Sequence, residues 1–177
     1  MSLRLEKSFG SWLREYKPDY TPAETGLDRF VSVQNQYNLL TRDIEREVTP
    51  FCEAYGVGII PFFPLESGLL TGKYQRGQAA PEGTLLAGSP RGEELLTETN
   101  FDVVEELTRF GQERSHSLLD VAIAGLAAQP AVASIIAGAT RPEQVIANVT
   151  SAEWELSAED RAALDAIVPS PHPDRRG

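Results

Sequence analysis

The chain has 177 residues, 41% of them hydrophobic and 24% charged, which suits one globular domain with a sizeable core. Its 16 Lys and Arg stand against 26 Asp and Glu, and a formal charge of −10 argues against nucleic acid, whose affinity rests on basic contacts to phosphate. Cys52 is alone, so no intramolecular disulfide is available, and no apolar run reaches 18 residues. A cytoplasmic protein with no membrane segment is expected.

Along the chain, residues 1–29 read as irregular, because Pro18 and Pro22 fall where a helix would be wanted. Phe30 to Gln34 is a β-rich run ending at the polar Gln34-Asn35-Gln36. Asp43 to Tyr55 reads as a helix with Ile44, Val48, Phe51 and Cys52 on one side and Pro50 near its start. Val57 to Ile60, between Gly56 and Pro61, predicts a second strand. Gln75 to Glu98 carries Gly77, Pro81, Gly83, Gly88, Pro90 and Gly92 and predicts a long loop, either a lid or disordered. Asn100 is placed to cap a helix through Val103, Val104, Leu107 and Phe110.

Ser117-Leu118-Leu119-Asp120 reads as a capping box opening an Ala/Leu-rich helix that ends near Pro130. Val132 to Ala137 predicts a third strand, stopped by Gly138. Thr140-Arg141-Pro142-Glu143 and Ser157-Ala158-Glu159-Asp160 open two further helices, the last one stopped by Pro169, with a flexible tail over residues 169–177. Short apolar runs between Gly and Pro breaks fit strands buried on both faces. Their alternation with helices predicts an α/β fold with parallel strands.

Several residues bear on chemistry. The segment Phe62 to Tyr74, following the second strand, is punctuated by glycines and suits phosphate. Gly138 to Gln144 lies between a strand and a helix start, where unpaired N–H groups, Thr140 and Arg141 make either an anion site or a plain helix cap. Gln34 closes a strand and needs partners; Phe62 and Phe63 offer a stacking face or ordinary core, the second being the commoner use. His116 and His172 have no ligand neighbours at metal spacing and read as surface residues. Ser67 lacks the glycine two positions earlier that a nucleophile elbow needs, and Cys52 reads as core. No catalytic residue and no metal ligand is assigned.

Three segments together resemble the C-terminal half of an aldo-keto reductase: Val31-Ser32-Val33-Gln34-Asn35-Gln36-Tyr37-Asn38-Leu39-Leu40, Phe62 to Tyr74, and Ile136 to Asn148. The resemblance covers about Asp28 to Pro169, and residues 3–12 are faintly similar to the preceding strand and helix start. It implies a partial (β/α)8 TIM barrel over residues 30–168, about the last four βα units, with 1–29 as a degenerate fifth. It also implies NADPH at the C-terminal ends of the strands, where barrel sites lie. Gln34 would hold the nicotinamide carboxamide, and Phe62 would stack on the ring where the family usually has Tyr. Phe63, Pro64, Leu65 and Gly68 would follow the pyrophosphate, with Lys73 as a charge partner. Gly138, Thr140, Arg141 and Gln144 would surround the 2′-phosphate, and Asn148 would contact adenine. Ala147 stands where the family often has an acidic residue beside that Asn.

In the family a Tyr protonates the carbonyl oxygen, supported by Lys, Asp and often His from the first half of the barrel. No position here matches that set. The resemblance therefore implies an NADPH-binding half of an oxidoreductase, inactive alone. The alternatives are a non-catalytic nucleotide- or protein-binding module and a truncated remnant. An open half-barrel would expose strand edges and apolar surface, so self-association or pairing with a missing N-terminal half is expected.

Overall fold

The computed structural model describes residues 30–171. The readings of residues 1–29 and of His172 and the end of the tail lie outside the described residues. The first strand, β1, spans Ser32–Gln36 and pairs in parallel with β2, Gly58–Phe62, in the register Ser32↔Gly58 to Gln36↔Phe62. This is the α/β arrangement that alternating strand and helix patterns predict, with a small parallel sheet.

Between the strands the chain is helical but not continuous. A 3-10 turn over Asp43–Arg46 precedes helix α1, Val48–Tyr55, so the single helix expected from Asp43 is broken at Glu47. Pro50 sits in the first turn of α1, where its missing N–H costs nothing. Gly56 closes the helix at φ 64°, a left-handed conformation that glycine adopts without a Cβ clash.

Val132 to Ala137, expected as a third strand, runs beside β2 but forms only an isolated parallel bridge, Ile59↔Val132. Ile59 N donates to Ala131 O and Ala133 N donates to Ile59 O, at 2.7 and 2.9 Å. The next ladder donor on that edge of β2 would come from residue 61, and Pro61 has no N–H. Pairing therefore lapses, and resumes only as Ile136 N donates to Pro61 O at 3.3 Å. Pro61 lies inside β2 rather than at its boundary.

After β2 a 3-10 segment, Glu66–Thr71, leads into turns and then helices α2 (Pro90–Leu95), α3 (Glu98–Gln112), α4 (Leu118–Ala127), α5 (Pro142–Ser151) and α6 (Ala158–Ile167). The loop expected over 75–98 thus contains α2. It is tied down by buried Tyr74 and Leu86, whose backbone N donates to the Tyr74 hydroxyl at 3.3 Å. Arg76 adds hydrogen bonds to Glu98, Asp102 and Glu105 on α3. The cap of α3 is Thr97, which accepts from Asn100 N; Asn100 instead donates its side chain to Leu95 O at 2.8 Å. Ser117 forms the expected capping box with Asp120, and Ser157, at the expected start of the last helix, forms another with Asp160.

Two apolar clusters hold these elements. One joins α3, α4 and the segment after β2 through residues such as Leu69, Leu70, Leu107, Phe110 and Val121. The other packs Tyr37, Val48, Cys52, Ile59 and Leu126 between the sheet and its helices. Burial pushes the Cys52 thiol up to about 11, with Glu53 adding to the effect, so it stays an inert core residue.

Only one face of the sheet is covered. Val33, Ile59 and Tyr37 face the helices, while Ser32, Gln34 and Phe62 on the opposite face are exposed. The expectation of strands buried on both faces therefore fails for β1. Its approach is open too: Phe30 and Val31 are 78% and 77% exposed.

Just past α6, Ser170 is buried and its hydroxyl donates to Glu45, so the chain is anchored at that point rather than frayed.

Candidate functional site

The C-terminal ends of β1, of β2 and of the segment after Val132 lie side by side. Tyr37 N donates to Phe62 O at 3.3 Å, and Ile136 N to Pro61 O, so the three chains leave the sheet together. In parallel α/β sheets this end, where loops diverge, is where ligands bind.

Phe62 and Phe63, which read as a stacking face or, more commonly, as core, are 39% and 45% exposed, with their rings edge to face at 5.6 Å. The strand ends at them because the chain then turns sharply: Phe63, Glu66 and Ser67 take φ of 52°, 42° and 55°. Left-handed conformations at non-glycine residues are costly and persist where surrounding contacts over-determine them. Pro64 is buried and Leu65 packs on the core, so only their backbone can meet a ligand. Leu65 O accepts from Gly68 N at 2.8 Å and from Leu70 N at 3.2 Å, and the Thr71 hydroxyl donates to Gly68 O. These hydrogen bonds tie residues 63–71 into a strap across the strand ends.

Gly68, at φ 90°, leaves room for Lys73. A Cβ built there would stand 2.3 Å from both Cε and Nζ of Lys73, so the ammonium lies against the strap because residue 68 has no side chain. Lys73 Nζ is also 5.2 Å from the Tyr74 ring centroid.

Gln34 does not close the strand. It lies two residues inside β1, opposite Ile60, exposed on the open face. Gln36 ends the strand instead, donating Nε2 to Glu66 at 3.1 Å.

At the start of α5 the cap is made by Gln144. Its Oε1 accepts from Thr140 N at 2.7 Å, from the Thr140 hydroxyl at 3.2 Å and from Arg141 N at 3.2 Å. The Arg141 guanidinium is exposed, and Gly138 has open space beside it. Asn148, a turn further on, lines a cleft of about 420 Å³ with Val132, Ile135, Val145 and Val149. Phe62, the strap and residues 138–144 thus come to one end of the sheet, whereas Gln34 sits below them and Asn148 lies in the apolar cleft.

Two buried carboxylates, Glu45 and Glu66, were not singled out by the sequence. Glu45 accepts from the Tyr37 hydroxyl at 2.6 Å and from Arg42 Nε at 2.7 Å. Glu66 accepts from Asn38 Nδ2 at 2.5 Å and from Arg91 Nη2 at 2.5 Å. Arg91, also missed, lies over the Phe63 ring at 4.5 Å. An Asp or Glu inside an otherwise apolar or glycine-punctuated segment was the available signal. His116, read as a surface residue, is half-buried and stacks on Trp154 at 3.8 Å, with Nδ1 3.7 Å from Asp120.

The hydroxyls of Tyr37 and Tyr74 are committed to Glu45 and to Ser67 O. Among the described residues there is no group of three or more metal-ligating side chains, and no helix is long and apolar enough to cross a membrane.

Comparison with known proteins agrees with this architecture. The model of the aldo/keto reductase family matches residues 19–169. A putative voltage-gated potassium channel subunit beta of Schizosaccharomyces pombe is 35% identical over 151 residues, covering 78% of this chain and 42% of that protein. An L-glyceraldehyde 3-phosphate reductase of Escherichia coli is 36% identical over 169 residues, 88% of this chain and 48% of that protein. The structure of a glycerol dehydrogenase from Gluconobacter oxydans superposes with a TM-score of 0.68 at 25% identity, over 84% of this chain and 46% of the other. The chain spans about half the length of the curated relatives it matches. With most of its residues inside the family's model, and the parallel sheet and helices to match, the chain belongs to the aldo/keto reductase family.

Proposed function

We propose that this chain carries the NADPH-binding surface of an aldo/keto reductase, formed by about the last four βα units of a (β/α)8 barrel over residues 30–168. The observation that carries the reading is the convergence of the exposed Phe62, the strap and the exposed Arg141 at the C-terminal end of one parallel sheet. The family uses nicotinamide cofactors, and the residues present fit one. Phe62 would stack on the nicotinamide ring, with Gln34 below it for the carboxamide. Phe63, the backbone of Pro64 and Leu65, Gly68 and Lys73 would follow the pyrophosphate. Gly138, Thr140, Arg141 and Gln144 would hold the 2′-phosphate, and Asn148 would approach adenine. When bound, the cofactor supplies hydride; this chain's residues bind and orient it.

Arg141 decides between cofactors in this reading, because a guanidinium grips a phosphate with charge-assisted bonds that an unphosphorylated ribose cannot accept. Arg141→Ala is expected to weaken NADPH by about tenfold or more and to leave NADH unchanged, the loss of one charged hydrogen-bonding partner being worth roughly 1.5–3 kcal/mol. Fluorescence titration with both nucleotides checks it. No NADPH binding by the unmutated chain would remove the cofactor reading altogether.

The chain alone is proposed to be inactive. No residue matches the family's Tyr/Lys/Asp/His set, and positioned acid catalysis is typically worth about 10²–10⁴-fold. A non-catalytic module that binds nucleotide or protein is the second reading, favoured by the similarity to a protein named as a channel subunit. Tight NADPH binding without carbonyl reduction, even when a first barrel half is supplied, would select it.

Exposed apolar residues flank the sheet on both sides: Phe30 and Val31 before β1, and Ile136, Val145, Ile146 and Val149 near the other edge. Such surface supports association with a second copy or with an N-terminal half. Light scattering coupled to size exclusion is expected to show more than the monomer mass; a compact, cooperatively melting monomer would rule association out. A cytoplasmic location belongs to the same reading.

A further inference from the structure

Glu66 is fully buried, yet it lies in the strap where a negatively charged ligand is proposed to bind. A buried carboxylate is tolerated only when donors surround it. Here Gln36 Nε2, Asn38 Nδ2 and the Thr41 hydroxyl donate from the exit of β1, at 3.1, 2.5 and 3.3 Å. From α2, Arg91 Nη2 donates at 2.5 Å. Asn38 Nδ2 also donates to Phe63 O at 3.0 Å, so the same cluster fixes the turn that presents both phenylalanines.

Arg91 is fixed on three sides: by Glu66, by Ser67 Oγ accepting from its Nε at 2.9 Å, and by the Phe63 ring at 4.5 Å. Its remaining nitrogen, Nη1, has no hydrogen-bond partner among the described residues. The guanidinium fork is rigid, so anchoring Nε and Nη2 fixes where Nη1 lies. The carboxylate's charge is balanced by Arg91 itself, which leaves the pair with an unused donor rather than a net repulsion toward an anion.

We propose that Glu66 is a positioning residue of the nucleotide site: acting through Arg91, it holds one guanidinium nitrogen ready for the pyrophosphate of a dinucleotide. The inference rests on the NADPH-binding reading above and adds a residue to it. Glu66 thereby joins a strained strap, a strand end and a distant helix into one preorganised anion contact.

A double-mutant cycle on the full chain tests it, with NADPH and adenosine 2′-monophosphate titrated by calorimetry into the unmutated protein, Glu66→Gln, Arg91→Ala and the double variant. Each single change is expected to weaken NADPH about tenfold, and the pair by about the same tenfold, because both remove one contact. Adenosine 2′-monophosphate, which carries no pyrophosphate, is expected to bind all four equally. A loss of about a hundredfold in the double variant, tighter NADPH binding by Glu66→Gln, or a matching loss for the monophosphate would overturn the proposal. If Glu66→Gln fails to melt cooperatively, Ser67→Ala replaces it, removing the other anchor of Arg91 with the carboxylate intact; additive losses with Arg91→Ala would again overturn the proposal. An unmutated chain that binds neither ligand removes the cofactor reading and this inference together. Binding of NADPH with additive variants removes this inference alone.

Discussion

Glu45→Ala is expected to lower stability by about 3 kcal/mol, the lower end of the usual cost of removing one partner of a buried ion pair, because Arg42 keeps Asp165 and Val168 O. Arg42, itself buried, donates to Glu45 and to Val168 O at 2.5 Å, and its Nη2 is 2.7 Å from Asp165. The Tyr37 and Ser170 hydroxyls also donate to Glu45. Removing the carboxylate takes a buried acceptor from all three donors, and it breaks the link from Ser170, beyond α6, to the turn that precedes α1. Urea unfolding followed by circular dichroism measures the loss; a change below about 1 kcal/mol, the range of exposed pairs, would show that this pair is not the fastener it is taken to be.

The same group shapes the acid limb of stability. Burial alone would raise the Glu45 carboxyl, but hydrogen bonds and charge from Arg42, with help from Ser170 and Tyr37, outweigh it and hold it below the ordinary carboxylate range. A depressed folded value means the stabilisation is complete above the unfolded value, near pH 4.5, and is lost as pH falls through the folded one. Glu45→Ala should therefore flatten part of that limb as well as lower the plateau.

The second large effect is expected at Gly68. Gly68→Ala places a Cβ where Lys73 Cε and Nζ now lie, and it does so at φ 90°, outside the range L side chains adopt readily. The backbone strain is roughly 1–2 kcal/mol. The long Lys73 side chain can swing away, so the clash itself costs little stability, but the ammonium leaves the strap. NADPH affinity is expected to fall by about tenfold to a hundredfold, since a charged contact worth about 1.5–3 kcal/mol is lost. Lys73→Ala should reproduce most of that loss without the backbone strain. Unchanged affinity in both variants, with normal melting, would remove Lys73 from the site.

The sequence was most legible where a rule is local. Ser117-x-x-Asp120 and Ser157-x-x-Asp160 opened helices as written, because a capping box involves only residues within one turn. The strands around Val33 and Ile59 were legible for the same reason, as short apolar runs between breakers. Asn100 misled because Thr97, three residues earlier, offers a hydroxyl to the same first turn, and nothing local decides between them. The third strand failed because its pairing depends on Pro61, a residue of another element.

The site divides along the same line. That Phe62, Gly68, Lys73, Gly138, Thr140 and Arg141 are proposed as one site came from the resemblance of their segments to the aldo-keto reductase family, since local chemistry left each of them a plainer role. That Phe62 and Phe63 are exposed, and that Gln34 lies inside a strand on the sheet's open face, depended on which face the helices cover. Glu66 and Arg91 stand 25 residues apart, across segments that composition described only as loop. By itself the sequence determined the alternation of strand and helix, most helix starts and the glycine-punctuated strand exits, all set by neighbours within a few residues. Only the tertiary structure decided which carboxylates are buried, which arginines they hold and where pairing stops, because those are settled by groups far apart in the chain that meet only once the sheet and its helices have packed.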